Sequence, residues 1–506
     1  MTRRRAGAPV VLIALALVAG ACSSSGSGSD ATASSASTTT HPRQPPADWT
    51  APGQNLANTR AAVGSTITTA NVDTLKVAYT ATPPGLGSLS TAPLVIGDTV
   101  YAQGGTGSVV AIDHATGKTR WQSEATGTNI GPFGVAVAGN RVFADAGSDG
   151  VLALDRNTGK QLWRRRITAT STLGIDIQPT TFNGLVFAST VPVSIQGIYS
   201  PGDRGTLYAL DAATGAVKWS FDTVKGDLWG HPEVNSGGGA WYPPAIDAKR
   251  GLVYFGTANP APFPGTEQYP NGTSRPGPNL YTDSLVALDV NTGKLRWFHQ
   301  VTAHDLFDRD QVHALLARTS DGREVVVSTG KSGEVVGLDP DRGTVLWQRP
   351  VGTHQNDDLK ALPGPTEVYP GTYGGVLTPP ATADGIVYVA TNNAPTKLPP
   401  DKPSYFGGDL GTHDGEVVAI NATDGKVVWD TKVPGDPLGG ATVVNDLVFT
   451  ALLDGTVVAL NRDTGKIVWK YKTAGGINGW MSVVGDSIYI PVGQANPPQI
   501  LALRLK

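Results

Sequence analysis

With 63 glycines and 37 prolines in 506 residues, and only 16% charged side chains, the chain has the composition of many short strands joined by tight turns. A formal net charge of -3 excludes the basic field that nucleic acid requires. A single cysteine excludes an internal disulfide, a cysteine-based zinc site and the C-x-x-C-H of covalently held haem, so any redox cofactor has to be held in another way.

The chain opens on Arg3-Arg4-Arg5, an apolar run over 10–18, and then Ala19-Gly20-Ala21-Cys22. That is the charged, apolar and small-residue order of an export signal, and the run is shorter than the ~20 apolar residues a membrane span needs. The segment resembles a bacterial lipoprotein signal. The resemblance implies removal of residues 1–21, lipidation of Cys22 and anchoring of the exported chain at the cell membrane, on its extracytoplasmic face. Residues 22–47 are rich in Ser, Gly, Thr and Ala and read as a flexible tether, with the folded body over 48–506 starting near Trp49.

Along the body an eleven-residue pattern, Ala-x-Asp/Asn-x-x-x-Gly-x-x-x-Trp, occurs seven times: at 111–121, 153–163, 209–219, 287–297, 337–347, 419–429 and 459–469, with Gly337 replacing the leading Ala once. Each copy predicts a hairpin. A β-run such as VVAID alternates between two faces, Asp or Asn opens the turn, Gly supplies positive φ, and the returning strand carries Trp. One hairpin cannot bury an indole alone, whereas a ring of similar sheets wedges each Trp against its neighbour. Further apolar runs between the copies, such as RGLVYFGTA and DGIVYVATN, bring each unit to four strands. The longer gaps hold Pro- and Gly-rich insertions at 260–279 and 392–411. Tyr79 stands where a Trp would in LKVAY, and the C-terminal run QILAL has no Trp-strand after it. Joining the two closes the ring. The expectation is an all-β propeller of eight blades, with seven as the alternative.

The repeat resembles the tryptophan-docking motif of the quinoprotein alcohol dehydrogenase-like propellers, which bind pyrroloquinoline quinone. Four stretches between 237 and 331 strengthen the likeness: GGGAWYPPAID, YFGTANPAPF, TAHDLFDRDQV and STGKSG. The resemblance implies that Trp241 stacks beneath the quinone and that Asn259 is an amide ligand of the active-site cation. It makes Asp308 the catalytic base at that cation, and Lys331 the hydrogen-bond donor to the reactive carbonyl. Asp310 stands where lanthanide-using members carry an additional carboxylate. The implied cation is Ca²⁺ or a lanthanide, the substrate an alcohol or sugar, and the electron acceptor a separate molecule.

The chain also departs from that pattern. The stretch 186–205 has no Glu for the family's acidic cation ligand, Phe133 replaces an Arg that pairs with a quinone carboxylate, and Val376-Leu377 replace an Asn-Trp pair. Asp305 or Asp310 are the replacement ligands the sequence offers. The other expectation is a non-catalytic propeller that binds protein or carbohydrate at the cell surface. The polar run over 354–358, HQNDD, reads as a hydrophilic loop.

Overall fold

The computed structural model describes residues 46–193, 200–404 and 410–506. The export signal, Cys22 and most of the tether lie outside them. Each repeat forms the expected hairpin. In the first, strands Val109–Asp113 and Thr119–Gln122 pair in antiparallel register, with a bulge at Ala111 and Ile112. The Asp113 carboxylate accepts from the amides of Ala115 and Thr116 and from the Thr116 hydroxyl. Gly117 then turns the chain at φ 74°.

The tryptophans join one sheet to the next by two contacts. Trp121 donates its indole N–H to the Arg156 carbonyl at 2.9 Å, and Trp347 does the same to Ala422 at 2.9 Å. Each ring also lies against the turn glycine of the following repeat. A Cβ on Gly159 would come within 2.5 Å of the Trp121 ring, and one on Gly425 within 2.7 Å of Trp347. The glycine is therefore required twice, for its positive φ and for the space the indole fills. Gly117 stands in the same relation to Tyr79, at 2.4 Å, so this tyrosine takes the place of a docking Trp.

The hairpins extend into a propeller, a ring of antiparallel sheets. Among the described residues there are six separate four-stranded sheets, and two larger sheets that each contain a four-strand meander. Strand Lys76–Ala81 pairs antiparallel with Gln499–Arg504, so one sheet contains both ends of the body. No helix among the described residues is long and apolar enough to cross a membrane.

One feature has no local signature in the sequence. Residues 49–62 run past five sheets: Trp49 bonds to Val95, Leu56 to Ile246, Ala57 to Leu316, Thr59 to Thr382, and Arg60 to Val443, all through backbone groups. The buried Arg60 guanidinium donates to the carbonyls of Ala441, Pro52 and Met481 and to the Thr442 hydroxyl, and it lies 5.5 Å from the Trp49 ring and 6.0 Å from the Trp480 ring. This plug supports Trp480, which also faces the cavity described next.

Candidate functional site

Loops from several sheets line an open cavity of about 580 Å³. Trp241, Asp308, Asp310 and Lys331 line it, so residues 90 positions apart in sequence converge on one space. Asn259 is buried immediately beside them. Its backbone N–H donates to Asp310 Oδ1 at 2.6 Å, and its side-chain amide donates to the Pro260 carbonyl at 3.0 Å.

The acidic stretch 305–310 is buried and tightly held. Asp305 accepts from the amides of Phe307 and Arg309, each at 2.7 Å. The two bonds wrap the chain around its carboxylate and hold Asp308 at φ 66°, a backbone conformation that costs a non-glycine residue about 1 kcal/mol or more. The Asp310 carbonyl accepts from the Lys331 amide at 2.9 Å. Lys331 then reaches between the two carboxylates, with Nζ 2.9 Å from Asp308 Oδ2 and 2.6 Å from Asp310 Oδ2.

Charge follows from this geometry. Burial pushes the Asp308 carboxyl well above its usual range, against the pull of Lys331 and with the help of Asp310. Burial alone would lower Lys331, but Asp308 and Asp310 hold its ammonium well above the ordinary value. The arrangement is a proton-accepting carboxyl beside a cation, both largely buried on the cavity wall, a pairing suited to removing a hydroxyl proton.

Trp241 presents its ring to the cavity, and its indole Nε1 is buried with no hydrogen-bond partner among the described residues. Beside it the Tyr242 hydroxyl bonds to the Leu377 carbonyl. Phe133 is buried on the cavity wall, so no guanidinium stands at that position. Val376 is buried in an apolar cluster while Leu377 reaches the cavity. The polar run at 354–358 makes its own contacts, with His354 Nδ1 2.7 Å from Asp357 Oδ2 and the Gln355 backbone paired to Tyr369.

Among the buried acids not singled out from the sequence, two adjoin this cavity or its lining. Asp176 and Asp145 are fully buried, and none of their four carboxylate oxygens has a partner among the described residues. Asp176 faces the cavity and packs against Gly131, whose Cα leaves the space its carboxylate occupies. The available signal was Asp176 between Ile175 and Ile177: the two isoleucines enter the core and the residue between them must point the other way. No group of three or more His, Cys, Asp or Glu side chains converges as metal ligands among the described residues. A cation here would need carbonyl, amide, hydroxyl or water oxygens as well.

A family model described as glucose/ethanol/alcohol dehydrogenase, beta-propeller domain, matches residues 49–134 and 168–348, more than half of the chain, including Asp176, Trp241, Asn259, Asp308, Asp310 and Lys331. The chain belongs to that family. A second model, for the outer membrane protein assembly factor BamB, matches residues 413–496. Among curated proteins, a polyvinylalcohol dehydrogenase of Pseudomonas sp is 28% identical, over 78% of this chain and 68% of its own length. The quinohemoprotein alcohol dehydrogenase of Comamonas testosteroni is 26% identical, over 71% of this chain and 56% of its own. The chain thus spans little more than half of that second relative. The crystal structure of the Comamonas testosteroni enzyme superposes with a TM-score of 0.79 at 22% identity, covering 92% of this chain and 81% of that one. A europium-containing methanol dehydrogenase superposes with a TM-score of 0.76 at 22% identity, covering 90% and 98%. At these identities the superpositions establish the propeller fold.

Proposed function

We propose that the chain is a pyrroloquinoline quinone-dependent dehydrogenase that oxidises an alcohol or sugar and passes the electrons to a separate acceptor. The observation that carries this is the placement of Asp308 and Lys331 in salt-bridge contact on the wall of a cavity that Trp241 also lines. The residues fit a planar quinone on three counts. The cavity is large enough for a fused-ring molecule, Trp241 offers a flat face with a donor that has no partner among the described residues, and Lys331 offers an ammonium. They also fit a cation, because carboxylates outnumber ammonium groups on the wall.

When bound, the quinone supplies the two-electron oxidant and the cation a Lewis acid, chemistry that no side chain of the protein provides. Trp241 would hold the ring by stacking, and Lys331 would hydrogen-bond its reactive oxygen. Asp308 would accept the hydroxyl proton of the substrate, for which its raised proton affinity suits it. Asp310 and Asn259 fix the position of these groups through the 2.6 Å bond between them. Tyr242 and Trp480 line both this cavity and the small pocket beside Arg60.

We also propose that the ring has eight blades, a reading supported by six separate four-stranded sheets and one four-strand meander in each of two larger ones among the described residues. Export and lipid attachment at Cys22 complete the proposal, supported by the order of charged, apolar and small residues before it.

Purified protein titrated with pyrroloquinoline quinone and Ca²⁺ or a lanthanide should melt at a higher temperature and reduce an artificial electron-accepting dye with alcohols. Asp308→Asn should abolish turnover and keep most of the cofactor binding. Retained turnover would remove Asp308 from this role. Phe133, where a guanidinium would serve the quinone carboxylates, favours the second reading, a propeller that binds protein or carbohydrate without redox chemistry. Absence of any thermal shift would select it.

A further inference from the structure

Within the cavity, the carboxylates differ in how far they are committed. Asp308 and Asp310 share the Lys331 ammonium, and Asp310 also accepts from the Asn259 amide. The Asn259 side chain already donates to Pro260. Asp176 is the lining carboxylate with both oxygens unpartnered, although it is fully buried. An ionised carboxylate in that condition is strongly disfavoured unless a proton or a cation joins it.

Three features point to a cation. Asp176, Asp308 and Asp310 all line the cavity, and Lys331, in contact with the last two, is the one lysine on its wall among the described residues; when ionised, the three carboxylates leave a net negative charge that favours a divalent or trivalent ion. Asp145 stands behind Asp176, close enough for their charges to repel, with both oxygens also unpartnered. Residues with oxygen donors suited to a hard cation also line the cavity: Ser88, Ser90 and Asn129. We infer that Asp176, backed by Asp145, supplies the acidic ligand for a hard metal cation, in place of the Glu missing between 186 and 205. This places the cation against the Gly131 loop. A side chain at 131 would exclude it, because a Cβ there would stand 1.5 Å from Asp176 Oδ1. The inference rests on the proposal that the cavity takes a cation, and adds which residue binds it.

The test uses metal alone, without quinone. Tb³⁺ is titrated into the folded, metal-stripped protein, its luminescence is excited through nearby aromatic rings, and Ca²⁺ is used to compete. Wild type should show one saturable site. Asp176→Asn should weaken it by at least about tenfold, a loss that removal of even an outer-sphere partner can produce. The exposed Asp73→Asn should not change it. Because Asn removes a buried charge and nearly keeps the shape, Asp176→Asn should fold, and a melting curve of the metal-free variant confirms that. Equal affinity in wild type and a folded Asp176→Asn would overturn this assignment while leaving a cation site standing. No saturable binding in wild type would overturn both the assignment and the cation on which it rests.

Discussion

Replacing Lys331 by Met removes the one cation that Asp308 and Asp310 share, while keeping most of the side-chain volume. Both contacts are short, 2.9 and 2.6 Å, and the three side chains are mostly or fully buried, so solvent screens the loss poorly. Breaking a buried ion pair from one side costs about 3–5 kcal/mol. Unfolding entropy of ~2.1 cal/mol/K per residue gives roughly 1 kcal/mol per K for a chain of 506 residues, so the melting temperature should fall by roughly 3–5 °C at pH 7.5. The loss should depend on pH with a definite sign. Burial already raises the Asp308 carboxyl, and without Lys331 it rises further. The folded variant then holds a proton that the unfolded chain releases near pH 4, so its stability falls as pH rises above that value. Calorimetry of wild type and variant at pH 5 and pH 8 should therefore show the larger difference at pH 8. Adding Asp310→Asn to Lys331→Met should restore a large part of it. An unchanged melting temperature at pH 7.5, or a difference that is the same at both pH values, would refute the electrostatic account of this triad.

Gly159→Ala should destabilise the fold by about 2–4 kcal/mol, since the residue sits at φ 71° and the new methyl would stand 2.5 Å from the Trp121 ring; denaturant unfolding followed by Trp fluorescence measures it. Gly251→Ala, where φ is also positive but no atom lies within 4 Å of a Cβ, should cost only about 1 kcal/mol, which separates docking from backbone strain. Asp283 is fully buried with both oxygens unpartnered, and burial, followed by Asp305, raises its carboxyl well above the usual range. The stability of Asp283→Asn relative to wild type should therefore increase between pH 5 and pH 8, because only wild type has to keep a proton that the unfolded chain releases; melting curves at the two pH values test the sign.

The parts of the fold that were readable are those in which one short segment carries its own physics. The turn at 113–117 needs Asp and Gly at fixed offsets, and the Trp four residues beyond Gly117 has no place to go except the next sheet. Tyr79 could be matched to the tryptophans because the strand before it keeps the same pattern, and it meets Gly117 as they meet theirs. The plug around Arg60 was not legible. Its partners at Ala441, Thr442 and Met481 are some 380 to 420 residues away, and nothing periodic surrounds it. At the site, Trp241, Asp308, Asp310 and Lys331 were found through motifs and do share one cavity. The burial of the acidic run at 305–310 was not legible, because it depends on the amides of Phe307 and Arg309 folding back onto the Asp305 carboxylate. Asp176 and Asp145 escaped notice since each ends or follows a short inner strand, where one polar residue looks like an ordinary boundary. Only the ring closure turns both toward the interior.

The most direct test of the dehydrogenase proposal is equilibrium binding of pyrroloquinoline quinone to the metal-loaded protein, followed by quenching of Trp fluorescence and by the melting temperature. Saturable binding of one quinone per chain, with a raised melting temperature and a lower affinity in Trp241→Ala, is the predicted result. No binding with Ca²⁺ or with any lanthanide would contradict it.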